Sequence, residues 1–504
     1  MRLSELFRGV DVVKWNVGDD IDVSHITSDS RCVLRGGMFI CIKGSKTDGH
    51  RFVGEALKRG AAVIVASDET ALPMGTSSII TANTRLAEAH IWNNWYSRPC
   101  DGMKTVAVTG TNGKTTTVLF LREIFRAAGK RVGIITTLKA MADDEEIGNH
   151  KLSSVSDKVC SMTTPDPEYF YGCVYLMKQK GIDTLIFEAS SHALAQNKLD
   201  PIRLDMAVFT NLSREHLDYH GDMESYFGAK KHLADLAEKL TVNVDDSYMR
   251  RLANSEEFGN VTAVSADPAS QGFGNADVTA LCRNKLGLDG VEYVYFSKNA
   301  VFKIKSPMIG DFTVYNSLLA AAAAMRLGVE AEAVRDGIGN LRGVDGRLER
   351  VSIGRDGKQF ELIVDYAHTP AALEGLLRTV RECRNKNRKI TLLFGCGGER
   401  DRGKRREMGS VASRLADFVI VTSDNSRGED ADEIICEILL GIDKEKPHAV
   451  ISDRRCAIEY AVRTASDGDI IVLAGKGHEK YEITNNGMLP FDEIEIARRA
   501  ADKF

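Results

Sequence analysis

The sequence predicts an α/β protein of three domains. Three successive stretches alternate β-branched apolar runs, typical of buried strands, with apolar residues at helical spacing. The alternation is interrupted near residues 99–103 and again at the charged, glycine-punctuated segment 341–347. Glycine-rich polar loops follow the strands of the second and third stretches. We therefore predict domains at residues 1–100, 101–342 and 343–504, the last two with mostly parallel sheets.

The composition is that of a globular protein, with 43% hydrophobic and 27% charged residues. A formal net charge of −5 gives no electrostatic case for nucleic acid or an anionic membrane, and the basic run 400–406 has no interleaved aromatics. Ten cysteines without C-x-x-C pairing favour a reducing compartment over a zinc site or a disulfide framework. With neither a signal peptide nor a long apolar span evident, we expect a cytoplasmic protein with no membrane insertion and no nucleic-acid partner. The oligomeric state is left open.

The central stretch begins with a candidate phosphate-binding loop, V-A-V-T-G-T-N-G-K-T-T-T at residues 106–117. Its glycines let backbone N–H groups converge on an anion, its lysine adds a positive charge, and the following helix points its positive end inward. Val108 stands where the full G-x-x-x-x-G-K-[ST] pattern has glycine, so the loop is a shortened form. The alternative is an ordinary strand–turn–helix with a surface lysine. The predicted phosphate contacts are Gly110, Thr111, Asn112, Gly113, Lys114, Thr115 and Thr116.

Two later strand ends carry candidate ligands for a divalent ion. Glu188 ends an apolar strand, where a charge needs compensation by a cation or by Lys114, although a buried ion pair is the alternative. His216 follows the next strand and is a metal ligand or a simple loop residue. Lys230 alone would be a solvated helix lysine. Asn316 precedes an apolar helix predicted over 317–327, where it caps the helix or contacts a base.

The third stretch places four polar loops, at 365–370, 395–404, 423–429 and 475–479, after four strands of one predicted parallel sheet. Together they collect arginines, lysines and carboxylates, as a site for a zwitterion or a polyanion requires. The alternative is a solvated charged rim.

These motifs together resemble the Mur ligases. The resemblance covers essentially the whole chain through D-S-R, G-x-x-x-D-G, G-T-N-G-K-T-T, T-T-P-D, E-A-S-S-H, H-L-D-Y-H-G-D, D-Y-A-H-T-P, G-C-G-G-E-R-D and G-K-G-H-E. It implies an N-terminal UDP-binding domain, a central ATPase domain of the P-loop type and a Rossmann-like C-terminal domain. It also implies ATP-dependent addition of the third residue to UDP-MurNAc-L-Ala-D-Glu in peptidoglycan synthesis.

The resemblance implies roles for matching residues. Lys114, His216 and Lys230 would be catalytic. Lys230 would be carbamylated, and Mg²⁺ would be held by Thr115, Glu188, His216 and Lys230. Beyond the loop, ATP would contact Asn316, Arg347, Asp365 and His368. The UDP-sugar peptide would contact Ser30, Gly44, Ser45, Thr163, Thr164, Ala195 and Lys198, although Ala195 and Lys198 stand where relatives often have a polar residue and arginine.

The incoming amino acid is expected to be meso-diaminopimelate, with L-lysine as the alternative. The branch that takes diaminopimelate has D-N-P-R in the third domain, where the arginine binds the distal carboxylate as a fork. Ser426 replaces the proline here. The implied contacts are Arg400, Asp424, Asn425, Ser426, Arg427, Gly475 and Glu479. A ligase of the folylpolyglutamate or cyanophycin type and a catalytically silent nucleotide-binding relative are the competing hypotheses.

Overall fold

The computed structural model describes residues 1–44, 47–147, 162–355, 357–384, 388–485 and 487–503. The chain divides into two compact units. Unit 1 comprises Met1–Ala280, Tyr295–Val301 and Tyr315–Gly337, and unit 2 comprises Leu281–Val294, Phe302–Val314 and Ile338–Phe504. Three separate main sheets, of five, eleven and six strands, confirm the predicted three-part α/β fold. The boundaries at residues 100 and 342 stay a prediction.

The first sheet has the strand order β1-β5-β4-β3-β2, with only the β1–β5 pair antiparallel. Its strands β3, β4 and β5 are wholly buried, as in a sheet covered on both faces. The elements are α1 (Leu3–Leu6), β1 (Val12–Asn16), β2 (Ile26–Thr27), β3 (Met38–Ile40), α2 (Val53–Lys58), β4 (Val63–Ala66), β5 (Ser78–Thr81) and α3 (Thr84–Trp95).

The second sheet has the order β16-β15-β14-β13-β12-β11-β6-β10-β7-β8-β9, and its strands from β13 to β7 run parallel. Its strands are β6 (Lys104–Thr109), β7 (Val132–Ile135), β8 (Ala140–Ala142), β9 (Glu145–Glu146), β10 (Thr184–Glu188), β11 (Met206–Phe209), β12 (Leu240–Asn243), β13 (Val261–Ser265), β14 (Val278–Lys285), β15 (Val291–Ser297) and β16 (Val301–Ser306). The helices of this stretch are α4 (Lys114–Ala127), α5 (Pro167–Gln179), α6 (Ser191–Ala195), α7 (Leu217–His220), α8 (Met223–Asp235), α9 (Ser247–Ala253), α10 (Asp311–Arg326) and α11 (Ala331–Asn340).

The third sheet has the order β17-β18-β22-β19-β20-β21, parallel except for the β17–β18 pair. Its elements are β17 (Glu349–Arg355), β18 (Lys358–Asp365), α12 (Pro370–Cys383), β19 (Ile390–Phe394), α13 (Gly403–Leu415), β20 (Phe418–Val421), α14 (Ala431–Leu439), β21 (His448–Val450), α15 (Arg454–Thr464) and β22 (Ile470–Ala474). A hairpin of β23 (Tyr481–Thr484) and β24 (Gly487–Pro490) precedes the last helix, α16 (Glu493–Lys503).

Continuous apolar runs form the central strands of the second and third sheets. Strands β10, β11, β19 and β22 are buried along their whole length, because helices cover both faces of a parallel sheet. Apart from Glu188 at the end of β10, these four strands carry no charged side chain, and charged residues concentrate in the loops that follow them. Among the described residues, no helix has the length and apolar character needed to cross a bilayer.

Candidate nucleotide and ligation site

The loops of unit 1 that carry polar side chains start at one edge of the second sheet. Strand β6 lies between β10 and β11, with Glu188 paired to Val108 and Phe209 paired to Thr109. Because the three strands are parallel and in step, their following loops meet at the same level. This confirms that the phosphate-binding loop, Glu188 and the segment after β11 share one crevice.

Both glycines of the loop are required by close approach and by backbone conformation. Gly110 has φ +148°, and a Cβ there would lie 1.9 Å from Thr210 Oγ1. Gly113 has φ +87°, and its Cβ would lie 2.4 Å from Asn316 Oδ1. A side chain at either position would collide with these neighbours, and φ near +87° is also strained for L-residues. The loop thus folds as tightly as the sequence predicts.

The amides available to an anion are fewer than expected. Thr111 N donates to Asn211 O at 2.8 Å, and Asn112 N donates to Asn211 Oδ1 at 3.0 Å. These two N–H groups therefore tie the loop to the segment after β11. Helix α4 begins at Lys114, so its first-turn amides and positive end are the groups that face an anion.

Lys114 folds back over the loop. Its Nζ donates to Gly110 O and to Thr111 O, each at 2.9 Å. These contacts hold the ammonium at the mouth of the loop, where it can exchange carbonyl oxygens for phosphate oxygens.

Glu188 is buried, and hydroxyl and amide groups surround its carboxylate. The residue is 1% exposed, and its carboxylate accepts hydrogen bonds from Thr115 Oγ1 at 2.8 Å and from Thr137 N and Oγ1 at 3.0 and 3.1 Å. Such donors stabilise a buried carboxylate. Compensation by a cation stays a prediction.

The donor set at this edge fits a magnesium ion. Thr115 Oγ1 and Glu188 Oε1 are hard oxygen ligands 2.8 Å apart, next to the helix that would receive phosphates. Among the described residues, no group of three or more His, Cys, Asp and Glu side chains could hold a metal. Magnesium suits such a sparse set, because it is commonly bound by one or two carboxylates together with substrate phosphates and water.

Lys230 is buried, so the expectation of a solvated lysine, which rested on the residue type alone, is wrong. It lies on α8 and is 2% exposed, with Nζ donating to Gly110 O at 2.9 Å and lying 4.8 Å from the Tyr226 ring centroid. Burial, reinforced by the nearby Lys114 charge, lowers the pKa of Lys230 well below its usual value. The amine therefore reaches the phosphate-binding loop in a form that loses its proton easily.

His216 lies at the exposed rim of the same crevice. It has φ +56° and precedes α7, and its ring lies 4.9 Å from the His192 ring and 6.2 Å from the Tyr226 ring. His216 Nε2 is 3.8 Å from Glu215 Oε2. The aromatic contacts aim its ring toward α8, and its metal-binding role stays a prediction.

Asn316 is not at a helix start, so the capping interpretation is wrong. Helix α10 begins five residues earlier, at Asp311, and Asn316 is 4% exposed in its interior. The cap was predicted because the helix was expected to start at residue 317. The structure instead places the Asn316 amide against Gly113.

Thr163 and Thr164 flank Glu188 in different ways. Thr164 Oγ1 donates to Glu188 O at 2.7 Å and accepts from Ser190 N at 2.9 Å, while Thr163 Oγ1 lies within hydrogen-bond distance of Thr137 Oγ1, at 3.1 Å. Thr164 thus joins the ends of two segments, and its contact with a substrate stays a prediction.

The predicted substrate contacts Ala195 and Lys198 lie at the end of α6 and just after it. Ala195 is exposed at the end of that helix, and the adjacent Gln196 supplies the polar side chain, donating to Tyr219 Oη at 3.2 Å. Gln196 Oε1 also accepts from Arg85 Nη1 at 3.2 Å. Lys198 is 6% exposed and paired with Asp166 at 2.7 Å.

The predicted uridine contacts lie in the first sheet's loops. Ser30 is in a short 3-10 turn, Ser30–Cys32, and its Oγ donates to Glu55 Oε2 at 2.8 Å. Gly44 N donates to Thr47 O at 2.9 Å. Ser45 lies outside the described residues.

In unit 2 the four polar loops start at one level of the third sheet. Asp365 and Phe394 both pair with Ala474, and Phe394 also pairs with Val421. The prediction that these loops share one sheet edge is therefore confirmed.

Three predicted ATP contacts lie at this edge. Asp365 accepts from Leu348 N and Ala367 N, each at 2.8 Å, and burial raises its pKa. Arg347 Nε is buried and has no hydrogen-bond partner within the described parts of the chain, so a ligand oxygen would satisfy it. His368 is exposed, with Nδ1 2.8 Å from Tyr366 O.

The predicted amino-acid contacts form a connected group at the 424–427 loop. Asn425 Nδ2 donates to Glu479 Oε2 at 2.7 Å, and Arg427 Nη1 donates to Gly398 O at 2.8 Å. Arg400 is exposed. The remaining predicted contacts, Asp424, Ser426 and Gly475, are buried.

Sequence reasoning missed several residues that shape these sites. Thr137 binds Glu188, Tyr226 packs on Lys230, and Lys476 is fully buried beside Asp424. The burial of Lys230 could have been predicted from the helical spacing of its neighbours. The buried residues of α8 lie on one helix face and are Tyr226, Phe227, Lys230, Leu233 and Ala234.

The fold and the crevice define a class of nucleotide-binding α/β proteins, in which a strand–loop–helix for phosphates is combined with a second parallel sheet bearing charged loops. The chain belongs to the Mur ligase family. Family models match residues 22–99 (Mur ligase family, catalytic domain), 108–324 (Mur ligase middle domain) and 346–477 (Mur ligase, glutamate ligase domain).

Full-length relatives support the assignment. The chain is 36% identical to the UDP-N-acetylmuramoyl-L-alanyl-D-glutamate--2,6-diaminopimelate ligase of Syntrophomonas wolfei, over 99% of this chain and 98% of that protein. It is 37% identical to the enzyme of the same name from Caldanaerobacter subterraneus, over 99% and 98%. A solved structure of a ligase of that name superposes with a TM-score of 0.68 at 29% identity, covering 98% of this chain and 99% of the other.

Proposed function

We propose that the chain is an ATP-dependent ligase that joins meso-2,6-diaminopimelate to UDP-MurNAc-L-Ala-D-Glu in peptidoglycan precursor synthesis. The observation that carries the proposal is full-length identity of 36–37% to ligases of this name. The group formed by Lys114, Thr115, Glu188 and Lys230 at one sheet edge supports it.

The reaction needs activation, because a carboxylate is a poor electrophile. A carboxylate oxygen of the D-glutamyl residue attacks the γ-phosphorus of ATP, and ADP leaves. The amine of the incoming amino acid then attacks the acyl carbon of the acyl phosphate, and phosphate leaves from the tetrahedral intermediate. The first-turn amides of α4 and the Lys114 ammonium stabilise the charge spread over the transferred phosphoryl group.

Mg²⁺ would be held by Thr115 and Glu188, with His216 and a carbamylated Lys230 as further contacts. The ion would neutralise phosphate charge. The amine of Lys230 is suited to carbamylation because its lowered pKa favours the neutral, nucleophilic form. When the neutral amine attacks CO₂, a carbon–nitrogen bond forms, one proton is released, and the side chain becomes an anionic carbamate.

The third sheet's edge would supply the second substrate. Glu479 is suited to an ammonium group and Arg427 to a distal carboxylate, which diaminopimelate has and lysine lacks. ATP would also contact Arg347, Asp365 and His368. The UDP-sugar peptide would be bound by Ser30, Gly44 and Ser45 in the first sheet's loops and by Thr163, Thr164 and the corner around Ala195 and Lys198.

The reaction is proposed to take place in the cytoplasm. The nine cysteines of the described residues form no disulfide bond, as a reducing compartment favours, and nucleotide substrates are made there.

An amino-acid panel tests the proposal. Purified protein with ATP, Mg²⁺ and UDP-MurNAc-L-Ala-D-Glu should release phosphate at least tenfold faster with meso-diaminopimelate than with L-lysine. Equal or faster release with lysine would overturn the choice of amino acid. Activity that does not depend on the UDP-sugar dipeptide would instead favour the folylpolyglutamate type of ligase.

A further inference from the structure

A fully buried lysine lies beneath the predicted amino-acid loop. Lys476 is the second residue after β22, and its side chain is 0% exposed. Nζ donates to Asn425 Oδ1 at 2.9 Å and to Tyr481 O at 3.1 Å, and lies 3.5 Å from Asp424 Oδ1. A buried ammonium with three oxygen neighbours, two from the 424–427 loop and one from β23, is held in one position.

This ammonium fixes which way the Asn425 amide points. Asn425 Oδ1 accepts from Lys476 Nζ and from Ile483 N, each at 2.9 Å. Only an oxygen can face two donors, so the NH₂ group of the same amide must point the other way. There it donates to Glu479 Oε2 at 2.7 Å.

We propose that Lys476 is a positioning residue that sets the affinity for the incoming amino acid, because it orients Asn425 and thereby holds the Glu479 carboxylate. The inference rests on the proposed function, which gives Glu479 and Asn425 their substrate. It also accounts for Ser426, since a loop without proline needs another source of rigidity, and the Lys476 network supplies it.

The loop ends have a separate anchor, so the role of Lys476 is local. Arg454 donates to Ser423 O and to Ala474 O, each at 3.0 Å, and pairs with Glu493 at 2.8 Å. These contacts tie together the ends of β20 and β22, where both amino-acid loops begin. Removing the Lys476 ammonium therefore leaves the loop ends in place and removes one of the two donors that hold Asn425 Oδ1, with Ile483 N as the other.

The charge balance explains why the lysine is tolerated. Asp424 is buried, which by itself would raise its pKa, but the Arg454 and Lys476 charges lower the pKa below its usual value. Asp424 thus stays ionised and neutralises the buried ammonium.

The test compares Lys476→Met, Lys476→Arg and the control Lys480→Met, whose side chain is 79% exposed. We expect Lys476→Met to raise the KM for diaminopimelate at least tenfold, with Lys476→Arg giving a rise of threefold or more. The KM values for ATP and for the UDP-sugar dipeptide should stay within twofold, and hydroxylamine should still trap the acyl phosphate. Lys480→Met should match the wild type.

A double variant checks the route through the amide. Asn425→Ala should raise the same KM, and adding Lys476→Met should raise it less than the two single effects multiplied, since both act through one hydrogen-bond chain. Multiplicative effects would overturn the proposal, as would an unchanged KM for diaminopimelate in a folded Lys476 variant. If Lys476→Met does not fold, Lys476→Arg decides the matter, because a rise of less than threefold in its KM for diaminopimelate would overturn the proposal. A wild-type protein that does not ligate diaminopimelate would refute the proposed function instead.

Discussion

Thr115 Oγ1 donates a hydrogen bond of 2.8 Å to Glu188 Oε1, joining the first turn of α4 to the end of β10. The bond brings a hydroxyl from the phosphate-binding segment to a carboxylate that is 1% exposed. It places two oxygen ligands side by side where phosphates and a divalent ion are expected to meet.

Replacing Thr115 by valine should lower kcat/KM at least a hundredfold, because the hydroxyl is lost while the shape is kept. The matched control is Thr117→Val, two residues along the same helix. Thr117 Oγ1 is buried without a hydrogen-bond partner among the described residues, so its removal should leave activity within twofold. The free energy of unfolding of Thr117→Val should be unchanged or higher by about 1 kcal/mol. Equal losses in both variants would contradict the assignment of Thr115.

Lys230→Met should abolish ligation, with a loss of about a thousandfold or more, and still bind ATP, as measured by calorimetry. Lys231→Met, with a half-buried side chain paired to Glu257, is the neighbouring control and should remain active. Removing dissolved CO₂ should lower wild-type activity, and bicarbonate should restore it, if the amine works as a carbamate. Full activity of Lys230→Met would remove this lysine from the mechanism.

The lowered pKa of Lys230 also predicts a pH dependence of stability. Between the folded-state pKa and about 10.5 the unfolded chain binds more protons at this residue, so the free energy of unfolding should rise with pH. Denaturant titrations at several pH values should show a smaller rise for Lys230→Met than for Lys231→Met.

Gly113→Ala should destabilise the chain more than an ordinary left-handed glycine does. The new Cβ would meet Asn316 Oδ1 at 2.4 Å, in addition to a φ of +87°. Gly129→Ala is the control, with φ +74° and no atom within 4 Å of the Cβ, and should cost about 1–2 kcal/mol. Asn316→Ala should recover part of the extra cost of Gly113→Ala in denaturant titrations, whereas purely additive effects would exclude the contact.

Glu88 and Glu168, which both interact with the charge of Asp166, should make the free energy of unfolding fall as pH rises. Burial, with Asp166 adding repulsion, raises the pKa of Glu88 and of Glu168 from 4.5 to about 7. The folded state then holds protons that the unfolded chain has lost, so this contribution is complete below pH 4.5 and is lost as pH rises through about 7. The decrease in the free energy of unfolding with pH should be smaller in Glu88→Gln than in Glu5→Gln, by an amount on the order of 1–2 kcal/mol. The same slope in both variants would rule out Glu88 as its source.

Much of the arrangement was predictable, because parallel strands carry their following loops to one edge. That rule predicts the phosphate-binding loop beside Glu188 and the four loops of the third sheet at one edge, and the strand register confirms both. Family motifs then supplied residue roles that remain predictions at the level of single side chains.

What sequence reasoning missed was burial and partner choice. The residue type alone predicts a solvated Lys230 in spite of its place on the apolar face of α8, and only the family resemblance assigns it a role in the site. The capping interpretation of Asn316 is wrong because the β-branched and aromatic residues 312–315 conceal the first turn of α10, while its contact with ATP stays a prediction. The donors to Glu188 come from Thr115 and Thr137, which are distant in sequence, and no local pattern announces such a pairing.

Asp365, Phe394, Val421 and Ala474 pair with one another at the same level of the third sheet, and this register bears on how substrate preference evolves. The residues predicted to contact the amino acid lie in the loops beyond these strand ends, outside the strands that form the apolar layers. Exchanges in these short loops can therefore alter substrate preference while the scaffold retains its stability, and the buried Ser426 occupies one such position.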